Sequence, residues 1–290
     1  MARFSVTVCV PHVSTPGLLA CCLENIIHHE HPDLSAEVLV VDQSPEPLKS
    51  AIHSRWDGRK GRHTRISVID APRIDAGYPI DVAVRQATGD FFCSLDCDAW
   101  PVNAAWLASP IEQIHRYGFS FVGCDCDLAK AYAHYGPFVA VNNFYRVSST
   151  DLALRASKAV GFARPVNRDR GDLGYANDWP FHDWCDNGVA ANWWVDRQMP
   201  GRKLVLPVTR ILGRAHDKPD GCVYGIVVDE KVFHLGYGYF QDTVGTRDVC
   251  EKRMGPRYMS LYDSFNSQED YVGFADGLNR AATEFAFVGW

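Results

Sequence analysis

An α/β fold with a central, mostly parallel sheet flanked by helices is predicted by three observations, densest in the first hundred residues. Short apolar runs at 5–10, 37–42, 65–70 and 91–95 have strand length and near-continuous hydrophobicity, as expected of strands covered on both faces. Segments of helical period alternate with them. The runs deliver Asp42, Asp70 and the pair Asp96 and Asp98 to their carboxyl ends, where functional groups gather in such sheets.

The elements follow in order. Ser5-Val6-Thr7-Val8-Cys9-Val10 is a first strand, stopped by Pro11. Thr15 and Pro16 supply a hydroxyl cap and a first-turn proline, after which Leu18, Leu19, Cys22, Leu23, Ile26 and Ile27 recur at helical spacing. Residues 37–42 form the second strand. Residues 45–64 show no period, and Arg55, Arg59, Lys60, Arg62 and Arg65 read as a solvated basic loop. A third strand at 65–70 and a helix over about 80–87 lead to the Gly89 break. The central run Phe91-Phe92-Cys93-Ser94-Leu95 then meets Asp96-Cys97-Asp98-Ala99-Trp100-Pro101. Strand alternation is expected to lean Asp96 and Asp98 to one side, and Pro101 to forbid further strand. Two carboxylates this close repel. A hard divalent cation such as Mn2+ or Mg2+, itself held on phosphate oxygens, is their natural partner.

Beyond this, Ser109-Pro110-Ile111-Glu112 reads as a capping box opening a short helix, and 119–123 as a strand. Cys124-Asp125-Cys126-Asp127, with Cys93 and Cys97, raises a zinc site, but the spacing is poor for one. Residues 138–141 and 144–147 read as sheet or loop edges, 165–179 as a surface loop, and 204–208 as a short strand. Asp183 and Asp186 stand among Trp184, Trp193 and Trp194. Flat apolar faces and carboxylates suit a sugar, and they equally suit a Trp-rich helix packed on the sheet with Asp183 as its cap. His234 ends a short apolar stretch before Gly236-Tyr237-Gly238, as either a structural imidazole or a ligand.

Composition narrows the classes. At 290 residues, 47% hydrophobic and 22% charged, the chain can bury a substantial core, and its net charge of -6 gives no reason to expect nucleic acid. No secretory signal precedes the first strand, and the ten cysteines are scattered through core segments, so a reducing, cytoplasmic setting is expected. No apolar run has bilayer length, so any membrane association is expected to be peripheral. A dinucleotide glycine fingerprint and a Walker A loop are both absent after the first strand.

The segments Val6-Thr7-Val8-Cys9-Val10-Pro11, Val38-Leu39-Val40-Val41-Asp42-Gln43-Ser44 and Ala87-Thr88-Gly89-Asp90-Phe91-Phe92-Cys93-Ser94-Leu95-Asp96-Cys97-Asp98 together resemble a GT-A fold glycosyltransferase, most similar to the large family 2 type of nucleotide-sugar transferases. The resemblance implies a Rossmann-like nucleotide-diphospho-sugar transferase fold. Residues 1–125 would form the donor-binding half, 126–245 the acceptor-binding and catalytic half, and 246–290 an extension packed on the body. Asp42 would contact the base or ribose beside Pro11, with Asp70 on the same nucleotide side. Asp98, assisted by Asp96 and completed by His234, would hold the metal of the DxD motif on the donor diphosphate. Asp186 resembles the acidic position near the acceptor, with Asp183 its rival as base. The chain departs from the family where Asp81-Val82-Ala83 stands for an Asn-x-Gly, where only His182-Asp183 and Asp186 stand for a Glu-Asp, and where the Gln-x-x-Arg-Trp element of processive synthases is missing. The implied activity is metal-dependent, inverting, non-processive sugar transfer to an acceptor hydroxyl. Two alternatives are a nucleotidyltransferase making a nucleotide sugar and a non-catalytic carbohydrate-binding relative.

Overall fold

The computed structural model describes residues 3–124, 139, 141–164, 173–176, 187–210 and 226–234. The first half runs β1 (Phe4–His12), α1 (Pro16–His28), β2 (Leu34–Asp42), α2 (Leu48–Trp56), β3 (Thr64–Asp70), α3 (Tyr78–Gln86), β4 (Phe91–Leu95), β5 (Ala99–Pro101), a 3-10 turn (Ala104–Trp106), α4 (Ala108–Tyr117) and β6 (Phe121–Gly123). Then come β7 (Tyr145–Ser149), α5 (Thr150–Ala159), α6 (Val189–Gln198), β8 (Leu204–Val205), β9 (Val208–Arg210), β10 (Ile226–Val228) and β11 (Val232–His234).

The fold is α/β, as expected, with a mixed central sheet. Seven strands stand in the order β3-β2-β1-β4-β7-β6-β8. β3, β2, β1 and β4 are parallel, while β7 is antiparallel to both its neighbours. A second, antiparallel sheet has the order β5-β11-β10-β9. The chain builds β2 and β3 on one side of β1 and returns to lay β4 on the other. Such a reversal opens a crevice outside the carboxyl ends of the two strands, the usual ligand position in α/β sheets.

Helices cover both faces of the sheet. Leu19, Leu23 and Ile26 of α1, Ile52 and Trp56 of α2, and Ile111 of α4 bury into one apolar cluster. Ile80 and Val84 of α3, Leu152 and Ala156 of α5, and Val189 of α6 fill the other. Each buried leucine or isoleucine contributes roughly 1.5–3 kcal/mol, so a charge at Leu19 would cost at least that much of the packing of α1 on the sheet. No described helix is long and apolar enough to cross a membrane.

Several local expectations are corrected. The stretch without a period contains α2, whose buried face rests on only two residues, Ile52 and Trp56. The basic group is partly tied down: Arg59 lies over the Trp56 ring at 4.7 Å and pairs with Glu24 at 2.8 Å. β1 continues through Pro11 to His12, because its ladder with β4 has already ended at Cys9 and no partner there needs the missing N–H. The Ser109 capping box does not form. The 3-10 turn before α4 is capped by Asn103, whose Oδ1 accepts the Ala105 N–H at 2.8 Å, and Glu112 instead pairs with Arg116 one turn on. Residues 204–208 divide between β8 and β9 at Leu206-Pro207. α5 had no sequence reading at all; Ser149 caps it, accepting the Leu152 N–H at 3.3 Å. Asp183, Trp184, Asp186, Cys126 and the 246–290 extension lie outside the described residues.

Candidate metal centre

The two DxD carboxylates do not alternate along a strand. β4 stops at Leu95, and Asp96-Cys97-Asp98 makes a tight turn in which the Ala99 N–H donates to the Asp96 carbonyl at 2.9 Å. A strand does form before the proline: Ala99–Pro101 is β5 of the second sheet, and Pro101 is its last residue. β11 pairs with β5 so that His234 opposes Ala99, and this register sets His234 Nε2 3.3 Å from Asp98 Oδ1. Ligand atoms of Asp96, Asp98 and His234 all lie within 4.8 Å of one another. Among the described residues this is the only group of three His, Cys, Asp or Glu side chains so placed.

The donor set fits a divalent metal. Two carboxylate oxygens and one imidazole nitrogen suit Mn2+ or Mg2+, and a cation relieves the repulsion of two neighbouring carboxylates of which Asp98 is only 6% exposed. The Cys97 thiol between them is not part of this group: its Sγ lies 3.4 Å from Thr15 Oγ1 at the start of α1, and burial pushes its pKa well up.

Across the crevice, Asp42 is fully buried at the end of β2, in register with His12 on one side and Asp70 on the other. Its Oδ1 accepts from His12 Nδ1 at 2.9 Å, from the Ser44 N–H at 3.0 Å and from Ser44 Oγ at 2.6 Å. The Thr15 N–H donates to His12 Nε2 at 3.1 Å, which leaves the ring proton on Nδ1, facing Asp42. Burial pushes the Asp42 carboxyl up, but the bonds from His12 and Ser44 outweigh it and hold the group below the ordinary carboxylate value. Its Oδ2 is buried and has no hydrogen-bond partner among the described residues. Pro11 lies beside it in β1, opposite Val41. Asp70 differs: its side chain is 56% exposed, accepts from His53 Nε2 at 2.8 Å and has Lys49 at 3.9 Å. Sequence reasoning missed His12 and Ser44, although both sit beside the carboxyl ends of predicted strands.

Of the three tryptophans expected to meet an acceptor, two lie among the described residues. Trp193 and Trp194 lie on α6 and pack against the second apolar cluster, Trp193 being 9% exposed with Arg197 over its ring. Gly188 opens α6 with φ +74, and a Cβ there would stand 2.3 Å from the Asn143 side chain, so only glycine fits. Asp81 is a buried tie, accepting the N–H groups of Phe162 and Ala163 at 2.9 Å and the Tyr175 hydroxyl at 3.1 Å. Burial raises its pKa against these bonds.

No protein-family model matches the chain, and no curated protein does. Solved structures show partial likeness. Mannosyltransferase PcManGT from Pyrobaculum calidifontis, in complex with GDP-Man and Mn2+, is 22% identical over 56% of this chain and 48% of its own, with a TM-score of 0.43. S. aureus TarS 1-349 in complex with UDP-GlcNAc is 17% identical over 55% of this chain and 48% of its own, with a TM-score of 0.42. Mannosyl-3-phosphoglycerate synthase from Rubrobacter xylanophilus is 15% identical over 51% of this chain and 55% of its own, with a TM-score of 0.39. The chain therefore spans about half the length of the structures it matches here.

Proposed function

We propose that the protein is a GT-A type glycosyltransferase of the family 2 kind, moving a sugar from a nucleoside-diphosphate sugar to an acceptor hydroxyl. The observation that carries this reading is the Asp96, Asp98 and His234 cluster, assembled from two sheets at the mouth of the crevice between β1 and β4. Asp96, Asp98 and His234 would hold the metal. When bound, Mn2+ or Mg2+ supplies positive charge to the diphosphate as it leaves.

The remaining roles belong to the chain's own groups. Asp42 offers its unpartnered Oδ2 to a base N–H or ribose hydroxyl next to Pro11, while His12 and Ser44 keep the carboxylate from turning. Asp70 stands at the rim of the nucleotide side. Asp186, or Asp183 in its place, takes the proton from the acceptor hydroxyl, which attacks the anomeric carbon from the far face and inverts it. Trp184 and the partly buried Trp194 would line the acceptor side, while Trp193 supports them from the second apolar cluster. Transfer is non-processive, one sugar at a time. A cytoplasmic setting is part of this reading, in which the buried thiols of Cys9, Cys21, Cys22 and Cys93 stay reduced.

A thermal-shift panel of UDP-, GDP-, dTDP- and CDP-sugars, each with and without Mn2+, tests this reading, since selective binding stabilises the folded form. One nucleotide raising the melting temperature only with metal supports it and names the donor class. No response to any donor overturns it in favour of a non-catalytic carbohydrate-binding relative. Product stereochemistry then tests inversion, and Asp186→Ala against Asp183→Ala assigns the base.

A further inference from the structure

Phe144 touches both halves of the metal cluster. Its carbonyl accepts the Asp96 N–H at 2.9 Å, one bond beyond the last β4–β7 pair, Leu95 with Tyr145. Its ring lies flat on the His234 imidazole, with centroids 3.8 Å apart and planes 10° from parallel. Phe144 itself is 2% exposed and held in the core, and its own N–H donates to Asn142 Oδ1 at 3.2 Å.

The consequence is geometric. The carboxylates and the imidazole come from different sheets, and only the three-residue β5–β11 pairing joins them locally. An imidazole on so short a strand can rotate about its side-chain bonds, and freezing that rotation on binding weakens affinity. A fixed aromatic face leaves the ring one plane, in which Nε2 points at Asp98. The same residue holds the Asp96 backbone through its carbonyl, so one core residue, by backbone on one side and ring on the other, touches ligands of both sheets.

We propose that Phe144 is the positioning residue of the metal centre: its ring pre-sets His234 for a divalent cation shared with Asp96 and Asp98. This rests on the metal reading given above, and the test separates the two. The variant Phe144→Leu keeps an apolar side chain and the carbonyl but removes the flat face, and Phe144→Tyr restores it. Two readouts apply to the full chain: Mn2+ affinity by calorimetry, and the ring-proton NMR shifts of His234 without metal.

In Phe144→Leu, Mn2+ binding weakens roughly 10-fold or more. The upfield ring-current shift of His234 disappears as well, and Phe144→Tyr recovers both. In a His234→Ala background, Phe144→Leu adds no further loss of affinity. Equal losses in both backgrounds overturn the proposal, as does a His234 shift unchanged by Phe144→Leu. A wild-type chain that binds no Mn2+ overturns the role at a metal, even where the His234 shift still follows the Phe144 ring. If Phe144→Leu does not fold, Phe144→Tyr must show wild-type affinity and His234 shift, and a loss of either overturns the proposal.

Discussion

Aspartates end β2 and β3 and follow β4, yet the two regions treat them in opposite ways. At the β2 end, Asp42 is sealed in and neutral neighbours crowd its Oδ1 with donors. At the β4 end, two carboxylates converge with an imidazole in a turn where no strand geometry is imposed on them. The first arrangement is satisfied by the protein's own hydrogen bonds on one oxygen. The second gathers like charges, which is unfavourable alone and is useful when a cation arrives. Asp70, on the neighbouring strand, belongs to neither kind, being exposed and paired with His53. A position at a strand's carboxyl end is therefore not enough to make a site; what the rest of the chain brings to that position decides.

The comparison breaks most visibly at Asp98. Asp98→Asn is expected to abolish measurable Mn2+ binding, exceeding the roughly 10–100-fold cost of losing a supporting contact. It should leave the metal-free melting temperature unchanged or higher, because one of two repelling charges is gone. Calorimetry and a thermal melt check both halves, and retained Mn2+ affinity would falsify the assignment of Asp98 as a ligand.

At the β2 end the balance is reversed. His12→Ala removes a donor from buried Asp42 and an acceptor from the Thr15 N–H, and should cost about 3 kcal/mol in urea unfolding. A loss under about 0.5 kcal/mol would mean that water replaces the imidazole without penalty.

Acid sharpens the contrast between the two buried aspartates. The Asp42 carboxyl is held low, so its ionised form stabilises the fold above the ordinary carboxylate pKa of about 4, and that contribution is lost as pH falls through its lower folded value. The Asp81 carboxyl is raised by burial, so its charge opposes folding near neutrality, and the penalty is relieved as pH falls toward about 4. Unfolding free energies measured against pH should therefore lose part of the acid limb in Asp42→Asn. In Asp81→Asn they should lose the gain on mild acidification. Identical profiles in both variants would contradict the opposite signs.

The smallest effect is expected at Asp70. Its exposed pairs are worth little, so Asp70→Asn should change stability by less than about 0.5 kcal/mol. A loss of nucleotide affinity in the same variant would move Asp70 from the rim into the nucleotide site.

Much of the fold was legible in the residues themselves. Apolar runs and helical spacing are local properties, so β1 through β4, α1 and α3 could be read to within a few residues, and with them the places of Asp42, Asp70, Asp96 and Asp98. α2 escaped because two buried residues, Ile52 and Trp56, make too weak a period, and β5 because three residues carry none. Only the tertiary structure decided which aspartates meet a partner. That His234 lands beside Asp98 depends on the register of β11 against β5, and that Phe144 lies on His234 depends on β7 pairing with β4. Such pairings join residues far apart in the chain through backbone hydrogen bonds that every sequence can make. Side-chain pattern marks where a strand forms, and long-range packing selects its neighbour.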